Sequence, residues 1–584
     1  MKIKIAVVGV FIGIVAYAAF SAKKEFSPAE DLPRAAVVYV EFADLPAFLR
    51  LWEASELKQK YLASENFNAL KQRRSGLKLA ARWQEFNEAV GFPLDLKTVG
   101  AFAEKRAAIG IYDIGKLEFV FIAPVSSEIF AATGFFQNKD RFEEKVLEDG
   151  TDVYSATVAA DHGRQPQKLL FANIKGQFVL ATSENLLLQT VKNINGKAGK
   201  NRLTDEPLFK DLRENSQPNL VSVWVNQTVL NKDYYFKRYW LMPDAHKLKN
   251  IRAGIFDFSL ETNKIVERRR FTLEKETQTA KLSRAETREM LSLVPPDVAF
   301  YSLRTANAAS AANAILNCIF DRKIQSAKAA PRNDFSSFSF GDFDDSESEG
   351  YEYLDEKFDA AIGETPEDDF KEAKVIEDKN SPSNLPNILR AADPQSILTL
   401  TEPKNFPPPL FAEFRRAVVI KLAAPVNQMQ LEAAIAQVVK SRVSLTVSDI
   451  NLTWKNGWEN DLSWRQLDLP MLGWEICYAQ RGENLIVADN SNLLREMLAP
   501  PENKLNENVS ASPIDNLTVI DLSRQNENFD EIFGRLAGEN SNDFFVGSIG
   551  SLLESVSGIK TVEIENSSNS RFREEKITFN LEQN

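Results

Sequence analysis

Residue types that commonly carry out chemistry are scarce in this chain. Its 584 residues hold two histidines, His162 and His246, and two cysteines, Cys318 and Cys477. His162 lies in the polar stretch AADHGRQPQ and His246 in PDAHKLKN, beside a predicted helix end. Neither sits in a recognisable nucleophile motif, so both are expected in solvated or structural roles. A zinc centre needs three or four clustered ligands, and four scattered residues do not supply that spacing. No G-x-S-x-G elbow occurs. Ser55-Glu-Leu-Lys58 and Ser75-Gly-Leu-Lys78 match S-x-x-K, but no S-D-N or K-T-G element accompanies them. A carboxylate pair for glycoside hydrolysis is set by spatial and not sequence spacing, and nothing singles out a pair here. The sequence therefore nominates no catalytic, cofactor-binding or metal-ligating residue and predicts no cofactor.

Both cysteines have apolar flanks, AILNCIF and GWEICYA. An oxidising compartment would permit a disulfide; two separately buried thiols fit the flanks better. Tyr234-Tyr235-Phe236-Lys237-Arg238-Tyr239-Trp240 mixes aromatics with cations, as membrane-interface segments do, but core packing of a helix over a sheet is the favoured reading. Arg268-Arg269-Arg270 reads as the solvated face of an edge strand. Nucleic-acid binding is disfavoured, because the chain outside one acidic segment is close to neutral and its body is expected to be exported.

A long hydrophobic segment must place whatever follows it. IAVVGVFIGIVAYAAFSA, Ile5 to Ala22, carries no charge and follows two lysines. Eighteen helical residues span roughly 27 Å, close to the roughly 30 Å of a bilayer core. Two processing outcomes stay open. Residues 1–22 form an uncleaved signal anchor, giving a single pass through a bacterial cytoplasmic membrane with a periplasmic body. Alternatively they form a signal peptide cut after Ala16-Tyr17-Ala18, giving a periplasmic or secreted protein. Gly9 and Gly13 make a GxxxG spacing that common glycine usage also explains.

The remainder reads as one unit written twice. LPRAAVVYVEFADLPAFL from Leu32 resembles VPPDVAFYSLRTANAASAANAI from Val294. GQFVLATSENLLLQTV from Gly176 resembles GENLIVADNSNLLREML from Gly482. GIFDFSLETNKIVERRRFTLE, ending at Glu274, resembles FREEKITFNLE, ending at Glu582. Copy one is assigned to 32–274, a linker to 275–291 and copy two to 292–584. Matching EKRAAIGIYD from Glu104 with FRRAVVIKL from Phe414 places an insertion of nearly fifty residues between Cys318 and Phe414. Asp334 to Asn380 holds 17 acids against four lysines, while the whole chain is only −12. An acidic, disordered insertion at about 330–384 follows. GDFDDSESEGYEYLDE fails as a calcium loop read from Asp342, with Glu347 where glycine and Tyr353 where glutamate are required.

Strands are expected at AVVYVEF, AIGIYD, LEFVFIA, KLLFANI, QFVLAT, LVSVWV, VSDINLTW, LTVIDL and EKITFNL. Asp44 suits a helix cap, with Leu45, Phe48, Leu49 and Trp52 on one stripe; Leu431, Ala434, Ile435 and Val438 form another. Thirty-nine phenylalanines predict an aromatic core. Helices punctuate hairpins without strict alternation, so the expected class is α+β: two tandem copies of an antiparallel-sheet-plus-helices unit behind one N-terminal hydrophobic helix.

On three of these features the chain resembles an uncharacterised bacterial envelope protein family, catalogued as a domain of unknown function. They are the opening strand Leu32 to Val40, the G-x-x-x-L-A-T-S-E-x-L-L segment Gly176 to Leu187, and D-E-P-L-F-K-D-L, Asp205 to Leu212. The resemblance covers copy one well and copy two loosely. It implies a signal or anchor followed by an exported domain, and no catalytic residues. The expected function is a non-enzymatic, membrane-tethered extracytoplasmic binding or scaffold protein. Its expected contacts are the membrane through residues 5–22 and envelope proteins, with no nucleic acid and no identified ligand. Two alternatives stand beside it: a carrier for an apolar or glycan ligand in a sheet–helix groove, and an unrecognised carboxylate-based hydrolase.

Overall fold

The computed structural model describes residues 26–232, 250–320, 384–403, 414–442, 452–499, 513–524 and 558–581. Within these, 73, 96–97, 99, 101–102, 149, 159–166, 198, 215, 217–219, 276–279, 297, 460–461, 471–472 and 570 are not described. The hydrophobic segment 5–22, both histidines, the aromatic–basic cluster 234–240 and all but the last residue of the acidic segment 330–384 lie outside the described residues. So do all but the end of VSDINLTW and the side chain of Ser75. Among the described residues, no helix is long and apolar enough to cross a membrane.

The chain divides into two compact units, one formed by residues 1–285 with 510–584 and the other by 286–509. In the first unit the strands are β1 (Val38–Phe42), β2 (Ala107–Asp113), β3 (Glu118–Pro124), β4 (Glu143–Val146), β5 (Asp152–Val158), β6 (Gln167–Ile174), β7 (Gln177–Ala181), β8 (Val221–Val225), β9 (Ile251–Glu261) and β10 (Lys264–Leu273). The second unit holds β11 (Phe300–Thr305), β12 (Pro394–Pro403), β13 (Phe414–Leu422), β14 (Trp454–Glu459), β15 (Leu462–Leu469), β16 (Trp474–Arg481) and β17 (Asn484–Ala488). The chain then returns to the first unit as β18 (Asn516–Asp521), β19 (Ile559–Ser568) and β20 (Phe572–Leu581).

The first unit's sheet runs β4-β5-β6-β7-β3-β2-β1-β8-β9-β10-β20-β19-β18, every neighbour antiparallel. The order does not close on itself. In the second unit the order is β11-β12-β13-β17-β16-β15-β14, again antiparallel throughout. This repeats, strand for strand, the β1-β2-β3-β7-β6-β5-β4 portion of the first unit.

Three expectations are corrected by the strand pairings. The architecture is dominated by large, open antiparallel sheet, with twenty strands among the described residues. The α+β class of two tandem sheet-plus-helices bodies does not hold, because strands from the end of the chain complete the sheet begun at its start. The physical reason is that a strand edge takes any partner of matching register, and sequence distance does not limit it. The second correction concerns FRRAVVIKL. It forms β13, which holds the place of β3: Val120 faces Ala181, and Ala417 faces Ala488. Its match with EKRAAIGIYD, the β2 segment, therefore falls, and the estimate of nearly fifty inserted residues falls with it.

The junction of β10 with β20 has a symmetric register. Arg268 faces Lys576, Lys264 faces Asn580 and Thr272 faces Phe572. The matching ends Leu273 and Leu581 lie 308 residues apart in sequence, and the same spacing relates Lys264 to Phe572, Arg268 to Lys576 and Thr272 to Asn580. Two similar strands thus meet about a local two-fold at Arg268 and Lys576. This is the self-complementary contact usual between identical subunits.

β10 is therefore an interior strand and not the edge expected of it. Arg270 Nε lies 2.7 Å from Glu574, and Arg269 pairs with Glu267 at 2.6 Å and with Glu575 at 3.6 Å. Arg268 alone of the three is exposed.

Helices cover both faces of β1–β7. On one face Leu186, Leu187 and Val191 of helix Glu184–Ile194, with Phe209 and Leu212 of helix Pro207–Arg213, pack on Val120, Ile122, Val179 and Trp224. The other face is rich in phenylalanine: Phe86, Phe130 and Phe135 from helices meet Phe121, Phe171 and Phe178 from strands. Each fully buried side chain of this size contributes about 1.5–3 kcal/mol. In the second unit Leu431, Ala434 and Ile435 of helix Gln428–Arg442 join the core with helices Ala308–Phe320 and Leu385–Ala392; Val438 is also buried, so the whole expected stripe faces inward.

Local chemistry sets the helix ends. Asp44 accepts a hydrogen bond from Ala47 N at 2.7 Å and caps helix Leu45–Ala54 as expected. The stripe is less buried than its pattern predicts. Leu45 is buried, whereas Trp52 is exposed and stacks on Phe48 at 6.3 Å. Ser55 accepts from Lys58 N and caps helix Glu56–Ala63, so its S-x-x-K spacing serves a helix start. Between β6 and β7, Lys175 and Gly176 both take positive φ, 51° and 79°. These are the two residues of a type I′ hairpin turn.

Candidate functional site

Two buried acids, Glu41 and Glu402, and the half-buried Glu432 anchor three ionic clusters. Glu41 projects from β1 beside Tyr39, two residues apart and so on one face. Its carboxylate accepts from Tyr39 Oη at 2.8 Å and Arg213 Nη2 at 2.8 Å, with Arg106 Nε at 3.5 Å. Glu41 is 2 % exposed. Burial, followed by the adjacent Glu41 charge, raises the Tyr39 hydroxyl well above its ordinary range. Tyr39 therefore stays protonated as a donor.

In the second unit Glu402 of β12 pairs with Arg415 of β13, and Arg415 also lies 3.6 Å from Glu496. Glu432, on helix Gln428–Arg442, accepts from Arg465 Nε at 2.6 Å and Tyr478 Oη at 2.8 Å. Burial alone would raise the Glu432 pKa, but the hydrogen bonds from Arg465, Tyr478 and Gln428 outweigh it and hold it low. Tyr478 is pushed up, by burial first and then by its bond to Glu432.

A depressed carboxyl pKa stabilises the fold above the group's unfolded pKa and loses that contribution as pH falls through the folded value. Asp468, held low chiefly by its bond from Lys455, adds in the same direction. Urea midpoints of the full chain are therefore expected to fall below about pH 4.5, and to fall less steeply in Glu432→Gln. Identical slopes for the two proteins between pH 5 and pH 3 would refute a role for Glu432.

The thiols are separate. Cys318 and Cys477 are both free and buried. Cys318 shares a core with Ile476 and Tyr478. Alternation along β16 sends Cys477 to the opposite face, so the sheet itself stands between the two sulfurs.

An open cavity of about 580 Å³ lies in the first unit. Asp152 and Tyr154 of β5, Asn173 of β6, Lys175 of the type I′ turn, Phe136 of helix Gly134–Gln137 and Lys197 line it. The Tyr154 ring is braced by stacking on Phe171 at 5.2 Å. Ring faces, two amides, one acid and two ammonium groups suit a polar ligand carrying a negative group better than a wholly apolar one. Asp152 is its one acidic lining residue, so it presents no facing pair of carboxylates.

The sequence nominates no site residue, and none of its motif residues that are described enters this cavity. β5, which supplies two of its walls, is absent from the sequence-derived strands. DVYSATV carries the β-branched and aromatic alternation that would have found it. Among the described residues no cluster of three or more metal-ligating side chains occurs.

No family model matches the chain, and no curated protein matches it. Among solved structures, the chain is similar to one described as "Structure of crystal form IV of TP0453", at 10% identity and a TM-score of 0.25, covering 43% of this chain and 83% of that one. A second, "Structure of crystal form I of TP0453", has 12% identity and a TM-score of 0.25, covering 46% and 86%.

Proposed function

We propose that this chain is a non-enzymatic scaffold and binding protein, tethered to the membrane by residues 5–22 with its body outside the cytoplasm. One observation carries the non-enzymatic part. The buried Glu41 and Glu402 and the half-buried Glu432 are each paired with an arginine, so these charges are spent within the fold. A carboxylate-based hydrolase gains no support from this arrangement. The cavity beside Lys175 and Lys197 is the seat for a polar, negatively charged ligand such as an acidic oligosaccharide. The uncharged run from Ile5 to Ala22 supports the tether.

Cell fractionation with protease shaving tests the placement. The full chain is expected in the membrane pellet after an alkaline wash, and open to protease from the extracytoplasmic side. Recovery from the cytosol would overturn the proposal, and recovery from the soluble periplasm would replace the anchor with a cleaved signal peptide. Titration of the purified full chain with an acidic oligosaccharide tests the cavity. The Lys175→Ala/Lys197→Ala variant is expected to bind about ten-fold more weakly; unchanged affinity would remove the cavity from the proposal.

A further inference from the structure

Exposed apolar side chains gather on one segment of the first unit. Six of the eleven exposed large hydrophobics among the described residues, Leu51, Trp52, Tyr61, Leu62, Leu77 and Trp83, fall within the helical run 45–90. Helix Glu56–Ala63 has no buried side chain at all. Its half-buried Leu57 and the Tyr61–Phe67 ring contact at 5.3 Å hold it in place, and Tyr61 and Leu62 stay exposed on it. Tyrosine and tryptophan at the boundary of an apolar patch are typical of a membrane interface.

Charge selects the partner. Residues 45–90 carry eight cations and five anions, a net of +3 in a chain of net −12. Lys58 lies 5.7 Å from the Trp52 ring and Lys71 lies 4.4 Å from that of Phe67, so cations and aromatics are interleaved. Pairing this run with its copy on a second chain would bring +3 against +3, which like-charge repulsion opposes. An anionic lipid surface accepts both components, rings at the headgroup level and lysines reaching to phosphate.

We infer that the helical run 45–90 lies on an anionic lipid surface, with Trp52, Tyr61, Leu77 and Trp83 at the headgroup boundary. This deepens the tether proposed above. Five residues, 23–27, separate the hydrophobic segment from the first described helix at Pro28. They reach at most about 17 Å, which keeps the body close to the bilayer.

The test uses the full chain with a fluorophore on a new cysteine in Y61C, L77C or V146C. The last is an exposed control on β4; native Cys318 and Cys477 are buried. In phosphatidylglycerol-rich vesicles, brominated lipid is expected to quench positions 61 and 77 at least three-fold more than position 146. Pure phosphatidylcholine, high salt or Lys58→Glu/Lys71→Glu should abolish the difference. Equal quenching at all three positions overturns the inference. So does shielding of positions 61 and 77 from an aqueous quencher in lipid-free solution, which would assign the surface to protein. Retention after an alkaline wash reports on residues 5–22 alone. Loss of the tether with quenching intact before the wash would sink the tether only, and retention without quenching would sink this inference only.

Discussion

Replacing Phe171 by alanine is expected to lower the stability of the first unit by about 3–5 kcal/mol, the usual cost of emptying an aromatic site in a packed core. Phe171 is fully buried on β6. Its ring centroid lies 4.8 Å from that of Phe135, 4.9 Å from Phe142 and 5.2 Å from Tyr154. Edge-to-face and stacked pairs of this kind add about 0.5–1.5 kcal/mol beyond burial. These neighbours come from a helix, a loop and a strand, so the void has no single element that can collapse into it. Urea unfolding followed by tryptophan fluorescence measures the loss, and Phe171→Leu should restore about half. A cost below about 1 kcal/mol would show that the phenylalanine-rich face is loosely packed.

Arg213→Ala is expected to cost about 3–5 kcal/mol for a different reason: it leaves a buried carboxylate without its nearest cation. Glu41 would retain Tyr39 at 2.8 Å and Arg106 at 3.5 Å. The partner variant Glu41→Leu/Arg213→Met removes both charges and should recover most of the loss, since a hydrophobic pair of similar volume is often neutral or better. The comparison is made at pH 7 by urea titration. If the double variant were as unstable as Arg213→Ala, the penalty would come from packing and not from the unpaired charge.

Local patterns made many single elements legible. AVVYVEF, LEFVFIA, KLLFANI, QFVLAT and LVSVWV are strands, and the helix stripe at Leu431, Ala434, Ile435 and Val438 is buried. Each is set by residues within a dozen positions of one another. The pairing of β10 with β20 was hidden, because its register depends on residues about 300 positions away. Arg268 to Arg270 look like a solvated edge until Glu574 and Glu575 arrive from the chain's end. The Glu41 cluster was half visible. Tyr39 and Glu41 share a face by strand alternation, but Arg213 lies 172 residues on. Trp52 misled in the other direction: its spacing matched a core stripe, yet the helix turns that ring toward the outside.

The return of β18, β19 and β20 to the first unit has a consequence for biogenesis. A chain made or threaded across a membrane from its N-terminus presents β10 long before residues 572–581 emerge. During that interval β10 offers a bare row of amides and carbonyls, which invites wrong pairing with any extended segment nearby. Completion of the largest body must wait for the last strand, so truncation near the C-terminus strikes the part of the molecule that was synthesised first.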